Sequence, residues 1–125
     1  MKCVIFDLDG TLLYTLEDIK NSLNYGLNSI GIPQKSIEEV RKIIGGGALV
    51  TLQRLANRQL SKNELNIAHT NFIDHYSKHY LDTTLPYNNV NELINYLKLK
   101  GLKEKLTALT REKATLDTQI AIAKQ

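Results

Sequence analysis

The sequence of 125 residues has one cysteine, Cys3, and no apolar run long enough to cross a bilayer. A single cysteine excludes an internal disulfide and is typical of a reducing compartment, so a cytoplasmic location is expected. A membrane-spanning helix needs about 20 apolar residues, so none is predicted. The first apolar run is interrupted by Asp7 and Asp9, which is not the pattern of a secretory signal peptide. Cys3 lies in that run and is predicted to be a small buried side chain.

Aromatic residues and strong net charge are also scarce, at 6% of the chain and +3. Residues 1–97 carry nine basic and ten acidic residues, whereas residues 98–125 carry seven and three. The basic excess therefore lies in the last part of the chain. That part has no aromatic residue on which a base could stack, and acidic residues interrupt it. A solvated helix face explains the charge better than a nucleic-acid surface, so no nucleic-acid partner is expected.

Two carboxylates follow directly after the first apolar run. Residues 3–6 read as a short buried strand, and Asp7, Asp9, Gly10 and Thr11 come next. In open α/β sheets, ligands bind beyond the carboxyl ends of the strands, so Asp7 and Asp9 are expected at the mouth of a site. Two carboxylates that lie so near each other can hold Mg²⁺. They can also supply a nucleophile and an acid/base group.

Helical periodicity dominates from residue 15 to residue 100. Apolar residues recur at three- and four-residue spacing in five segments. Gly31 and Pro33, Gly45–Gly47, the capping residue Ser61 and Pro86 mark the four breaks between them. Ser36 with Glu39 and Ser61 with Glu64 are capping-box patterns that predict two of the helix starts. Thr15 and Asn89 are expected to cap two others. The coarse order is one strand, four helices and a further helix.

Residues 7–11 resemble the D-x-D-G-T motif of the haloacid-dehalogenase-like hydrolases. The order of elements resembles the phosphoglycolate-phosphatase-like branch, which inserts a helical cap straight after this motif. The resemblance extends over residues 1–102. It implies three parts, namely the first core strand and motif loop (1–14), a four-helix cap (15–84) and a core-type helix (85–101). The remaining residues, 102–125, resemble no known family and are predicted from their spacing to form a basic, heptad-like helix of unknown origin. The predicted fold class is mainly α, with one strand of an incomplete α/β core and a C-terminal amphipathic helix.

The resemblance also implies roles for individual residues. Asp7 is expected to be the nucleophile that forms an aspartyl-phosphate, and Asp9 the general acid/base. Both are the expected Mg²⁺ ligands, Asp9 through its backbone carbonyl. Thr11 would stabilise the loop and contact substrate, and Gly45, Gly46 and Gly47 would form the substrate loop of the cap. The implied activity is Mg²⁺-dependent hydrolysis of a small phosphorylated metabolite.

The sequence departs from the family pattern in two places. Tyr14 stands where the family usually has an acidic residue, three positions after the threonine of the motif. After Leu102, the family's phosphate-binding Ser or Thr, its Lys and its acidic pair are not recognisable. Because phosphoryl transfer depends on positioning and charge neutralisation, we expect a truncated or chimeric chain that is weakly active or inactive. The alternative is a non-catalytic helical module that self-associates or binds a protein partner.

The tail offers a seam along which two chains could associate. Seven residues from Leu102 to Ala123 fall at alternating spacings of four and three, with Lys113 as the polar member. This pattern fits either a helix packed on the same molecule or self-association. The first strand also needs a partner, and only residues 119–123 show a weak alternating pattern. Pairing with a second chain, or an exchange of elements between two chains, stays open.

His75 and His79 are one helical turn apart and next to Asp74. That spacing can bind Zn²⁺, but no third ligand stands at the correct spacing. An ordinary helix face is the preferred interpretation of this pair.

Overall fold

A computed structural model describes residues 3–100 and the backbone of Lys103–Glu104. In this part the fold is mainly helical, with a few short strands, as predicted. The helices are α1 (Leu16–Asn28), α2 (Ile37–Ile43), α3 (Ala48–Ala56), α4 (Lys62–His79) and α5 (Val90–Leu99). The strands are β1 (Cys3–Val4), β2 (Leu13–Tyr14), β3 (Leu85–Pro86) and β4 (Lys103–Glu104). The predicted C-terminal helix lies almost wholly outside the described residues.

Helices α1 to α4 pack on one another around a single apolar core. Among the residues that the helical spacing placed inward, the largest fully buried ones are Leu23, Leu27, Val40, Leu52 and Leu55. Ile44, Leu49 and Leu93 fit the same spacing but are 40%, 46% and 42% exposed. Full burial of a leucine or valine side chain contributes roughly 1.5–3 kcal/mol. The bundle therefore has a core of its own.

Two of the four expected helix caps are formed by side chains. Ser36 and Glu39, and likewise Ser61 and Glu64, exchange both hydrogen bonds of a capping box. The Arg58 guanidinium, helped by the Ser61 backbone N–H, lowers the pKa of Glu64 to about 2. Thr15 and Asn89 hold the N-cap positions of α1 and α5, as predicted, but neither side chain makes a capping hydrogen bond. Asn89 instead has a left-handed backbone, with φ of 68°.

Gly26 allows α1 and α4 to approach closely. A Cβ atom at this position would lie 2.4 Å from the carbonyl oxygen of Ala68, which is closer than any real contact. Helix α1 continues through Gly26 without a break. Its place on the inward face of α1 is explained by this crossing.

Strand β1 pairs in parallel with β4, in the register Cys3 with Lys103 and Val4 with Glu104. The 119–123 segment that the alternating pattern indicated as a partner lies outside the described residues. Helix α5 runs between the bundle and β4 and packs on β4, which returns the chain beside β1 as in a parallel crossover. Lys103 and Glu104 are strand residues and do not begin the predicted heptad-like helix; the rest of that helix lies outside the described residues.

Cys3 is exposed, and the prediction that it is buried is wrong. The predicted strand at residues 3–6 is reduced to two residues, and Ile5 is 65% exposed. The physical reason is the size of the sheet. Two strands of two residues cover too little surface to bury the side chains on their faces.

Strands β2 and β3 form a second, antiparallel ladder that the sequence pattern did not predict. Leu13 pairs with Pro86 and Tyr14 with Leu85. The Tyr87 N–H also donates to the carbonyl of Leu12, at 3.0 Å. The segment that enters the bundle and the segment that leaves it therefore run side by side.

None of the helices in the described range is long and apolar enough to cross a bilayer.

Candidate active site

The two motif carboxylates lie in the loop that follows β1, and Asp9 is part of the tight turn that closes this loop. The carbonyl of Leu8 accepts hydrogen bonds from the N–H groups of Thr11, Leu12 and Leu13, at 3.0–3.3 Å. The Gly10 N–H donates to the carbonyl of Leu13, at 2.9 Å, and Gly10 has φ of +74°. Leu12 is buried beneath the turn. The loop is thus held by its own backbone.

In the loop that follows β1, the side chains of Asp7, Asp9 and Thr11 are all exposed. The structure therefore places three of the predicted site residues in one loop, open to solvent. An exposed carboxylate can meet a substrate without displacing packed side chains. This accessibility is what the nucleophile and acid/base assignments require.

The carboxylates fit a magnesium ion only as part of its ligand set. Mg²⁺ in phosphoryl-transfer sites is usually held by one or two carboxylates together with water and substrate phosphate. The expected ligands, the Asp7 carboxylate and the Asp9 backbone carbonyl, supply one carboxylate and one further oxygen from one loop. Within the part of the chain that the structure describes, no group of three or more His, Cys, Asp or Glu side chains is placed to hold a metal.

The triple glycine lies between α2 and α3 and is an ordered loop. Gly45, Gly46 and Gly47 all have positive φ, at 141°, 75° and 92°, in a region that side chains disfavour. Thr51 is 2% exposed, and its hydroxyl lies 2.9 Å from the carbonyl oxygen of Gly47 and 3.2 Å from that of Gly45. The same hydroxyl accepts from the Gly45 N–H, at 3.4 Å. Sequence reasoning found the glycines and missed the threonine that holds them.

Tyr14 connects the two predicted halves of the site. Its ring meets the ring of Tyr87 edge to face, with centroids 6.0 Å apart. Its hydroxyl interacts electrostatically with the guanidinium of Arg41, on the helix that leads into the glycine loop. Arg41 also pairs with Glu38, and these contacts, that with Glu38 first, raise the pKa of Arg41. A tyrosine at this position thus brings a cation of the bundle next to the strand that follows the aspartate loop.

Asp18 is the most buried charged side chain in the described residues, at 1% exposure. Both its carboxylate oxygens accept hydrogen bonds from Thr83 and Thr84, at 2.7–3.0 Å. Burial raises the pKa of Asp18, but the hydrogen bonds outweigh burial and lower it below its ordinary value of 3.8. The sequence shows only that Asp18 stands next to inward-facing positions of a helix. It does not show the contact, because the partners of Asp18 are 65 and 66 residues away.

His75 and His79 stack with ring centroids 4.2 Å apart, and Tyr25 stacks on the other side of His75. The Nδ1 atom of His75 hydrogen-bonds the Ser22 hydroxyl, and that of His79 hydrogen-bonds the Asp82 carboxylate. Burial, followed by the nearby His79, lowers the pKa of His75. The pair thus packs against α1 and the residues after α4.

A cleft of about 280 Å³ opens on the outer side of the bundle. Its lining is mostly polar and comprises Lys20, Asn21, Asn24, Tyr25, Asn28, Gln34, Lys35 and His75. None of the predicted site residues lines it. The cleft is therefore separate from the aspartate loop.

Comparison with known families places the whole described region in one family. A model described as haloacid dehalogenase-like hydrolase matches residues 4–118. The match continues past Leu102, where the sequence resemblance was expected to end. The tail is therefore at least partly a continuation of the family pattern.

The similar proteins are phosphatases by name. The chain is 33% identical to a phosphoglycolate phosphatase of Haemophilus influenzae over 98% of its own length and 56% of the relative's. It is 32% identical to one of Caulobacter vibrioides over 94% and 50%. A solved structure of a predicted phosphoglycolate phosphatase from Haemophilus somnus 129PT matches with a TM-score of 0.74 and 31% identity, over 83% of this chain and 49% of that one. The chain thus spans about half the length of the relatives it matches.

Proposed function

Because the chain belongs to the haloacid dehalogenase-like hydrolase family, we propose that it carries the nucleophilic half of a Mg²⁺-dependent phosphomonoester hydrolase. The observation that carries the proposal is that Asp7 and Asp9 are both exposed in the loop after β1, whose backbone is held by hydrogen bonds to the Leu8 carbonyl. The phosphatase names of the relatives support the same reaction class.

In the proposed reaction, Asp7 attacks phosphorus and Asp9 donates a proton to the departing oxygen. Water, deprotonated by Asp9, then attacks the aspartyl-phosphate and releases phosphate. Mg²⁺, when bound by Asp7 and the Asp9 carbonyl, would neutralise charge on the phosphoryl oxygens. The Leu8 carbonyl accepts hydrogen bonds from three N–H groups and so holds the backbone between the two carboxylates and β2.

The bundle is proposed to act as the cap that selects the substrate. The Gly45–Gly47 loop, held by Thr51, offers backbone groups in a fixed geometry. Arg41 adds a cation on the helix that leads into this loop, beside Tyr14. A small phosphomonoester whose leaving group carries a carboxylate suits such a surface. The phosphoglycolate phosphatases among the relatives act, by name, on a substrate of that kind.

We propose that these 125 residues alone turn over substrate slowly. Charge neutralisation supplies much of the rate in phosphoryl transfer. The phosphate-binding hydroxyl, lysine and acidic pair of the family are not recognisable in the sequence. No third acidic ligand joins Asp7 and Asp9 within residues 3–100.

The test is Mg²⁺-dependent hydrolysis of an aryl phosphate and of phosphoglycolate by the wild type and by Asp7→Asn. The matched control is Glu92→Gln, which removes an exposed carboxylate on α5. We expect slow turnover that Asp7→Asn abolishes and Glu92→Gln preserves. Equal turnover in the wild type and in Asp7→Asn would overturn the role of Asp7.

A non-catalytic helical module is the second candidate. It is favoured by the bundle's own buried core, which needs no contribution from the aspartate loop. Absence of turnover in all three proteins, with the helical content intact, would support it.

A further inference from the structure

The buried carboxylate of Asp18 lies where the chain enters the bundle. Asp18 is the third residue of α1, and its partners Thr83 and Thr84 lie directly before β3, where the chain leaves the bundle. Four donors converge on it, namely the backbone N–H and the hydroxyl of each threonine. The Thr84 hydroxyl also lies 3.0 Å from the carbonyl oxygen of Tyr80, near the end of α4.

In the described part of the chain, two short connections join the bundle of α1 to α4 to the rest, namely residues 3–14 and 85–100, which we call the aspartate-loop segment. They run side by side as the ladder of Leu13–Tyr14 with Leu85–Pro86. Two-stranded ladders are marginal by themselves, and this one has two residues in each strand. The Asp18 contacts lie on the bundle side of the ladder and tie the same two connections together again.

We propose that Asp18 is a positioning residue, whose carboxylate clamps Thr83 and Thr84 so that both connections move as one joint. The clamp fixes the orientation of the bundle, and with it the Gly45–Gly47 loop, relative to the loop of Asp7 and Asp9. Bending is then confined to the ladder residues on the far side of the clamp. The catalytic meaning of this orientation rests on the proposed function, whereas the clamp itself does not.

The chemistry of the contact explains why a carboxylate is needed. An ionised carboxylate only accepts hydrogen bonds, and its two oxygens can satisfy all four donors. An asparagine offers one oxygen and two further donors, so at least one N–H or hydroxyl of the threonines faces another donor. Buried donors without acceptors are costly, so the connections would separate toward water.

The test measures orientation directly, with no turnover involved. Spin labels are attached to cysteines introduced at Asn63 on α4 and Asn91 on α5, both exposed, in a Cys3→Ser background. The distance distribution between the labels is compared in the otherwise unchanged chain, in Asp18→Asn and in Glu17→Gln. The last removes a partly exposed carboxylate from the same helical turn and is the matched control.

We expect Asp18→Asn to widen the distance distribution about twofold or more, as for a released hinge, and Glu17→Gln to leave it unchanged. A second variant, Thr83→Val with Thr84→Val, removes both hydroxyl donors and keeps the shape, the backbone N–H groups and the carboxylate. It should widen the distribution too, and Thr83→Ser with Thr84→Ser should restore it. An unchanged distribution in the valine variant, with helical content intact, would overturn the proposal. Because no turnover is measured, this experiment tests the clamp even if the chain is catalytically inactive.

Discussion

The helical bundle and the aspartate-loop segment differ in how far they bury their own apolar side chains. In the bundle, Leu27, Val40 and Leu52 have no exposed surface. In the segment, Ile5 is 65% exposed and Leu99, at the end of α5, is 87% exposed. The bundle has a closed core, whereas the proposed nucleophile lies on a small platform that leaves apolar side chains exposed. The difference agrees with a chain that spans about half the length of its relatives.

The largest expected effect is on the stability of the bundle. Leu52→Ala should lower the free energy of unfolding by about 3 kcal/mol, because it leaves a cavity in a closed core. Leu99→Ala, the same change at an exposed site, should cost less than about 0.5 kcal/mol. Thermal or urea unfolding followed by circular dichroism measures both. Equal losses in the two variants would contradict the division between bundle and segment.

A smaller effect is expected from acidification, through the Asp18 clamp. The pKa of Asp18 is lowered in the folded chain, so its contribution to stability is present above the ordinary value of 3.8 and is lost as the pH falls through the folded pKa. As the pH falls below this ordinary value, the wild type should therefore lose stability that Asp18→Asn, which has no carboxylate to protonate, does not lose.

Urea unfolding at pH 7 and at stepwise lower pH measures this difference. Glu39 and Glu64 also have lowered pKa values, but they are present in both proteins, so the difference between the two curves isolates Asp18. Parallel curves for the wild type and Asp18→Asn would show that the clamp does not depend on the charge of Asp18.

The smallest expected effect concerns the glycine loop. Thr51→Val keeps the shape of a buried side chain and removes the hydroxyl that holds Gly45 and Gly47. We expect a loss of about 1 kcal/mol of stability and faster hydrogen exchange at Gly45–Gly47, whereas Thr51→Ser should behave as the wild type. Unchanged exchange in Thr51→Val would mean that the loop geometry is fixed by its backbone alone.

The helices could be predicted from the sequence because their causes are local. Apolar spacing and the two capping boxes lie within a few residues of the structure they produce, and all five helices were confirmed. The aspartate loop was found for the same reason, since Asp7, Asp9, Gly10 and Thr11 are adjacent.

The contacts that join distant segments could not be predicted in this way. The two-residue strands are too short to show an alternating pattern, so the β2–β3 ladder and the pairing of β1 with β4 left no periodic signal. Asp18 and its partners are 65 and 66 residues apart in the sequence, so no local pattern relates them. The exposure of Cys3 depends on what covers the sheet, which strand propensity does not report.

The most direct measurement asks whether Asp7 becomes phosphorylated. The chain is mixed with Mg²⁺ and excess aryl phosphate, quenched in acid, and treated with borohydride, which reduces an acyl phosphate to an alcohol. Mass spectrometry of the N-terminal peptide then locates the reduced residue. We predict homoserine at position 7 and an unchanged aspartate at position 9. Mg²⁺-dependent turnover with position 7 unmodified, or with the label at position 9, would contradict the assignment of Asp7 as the nucleophile.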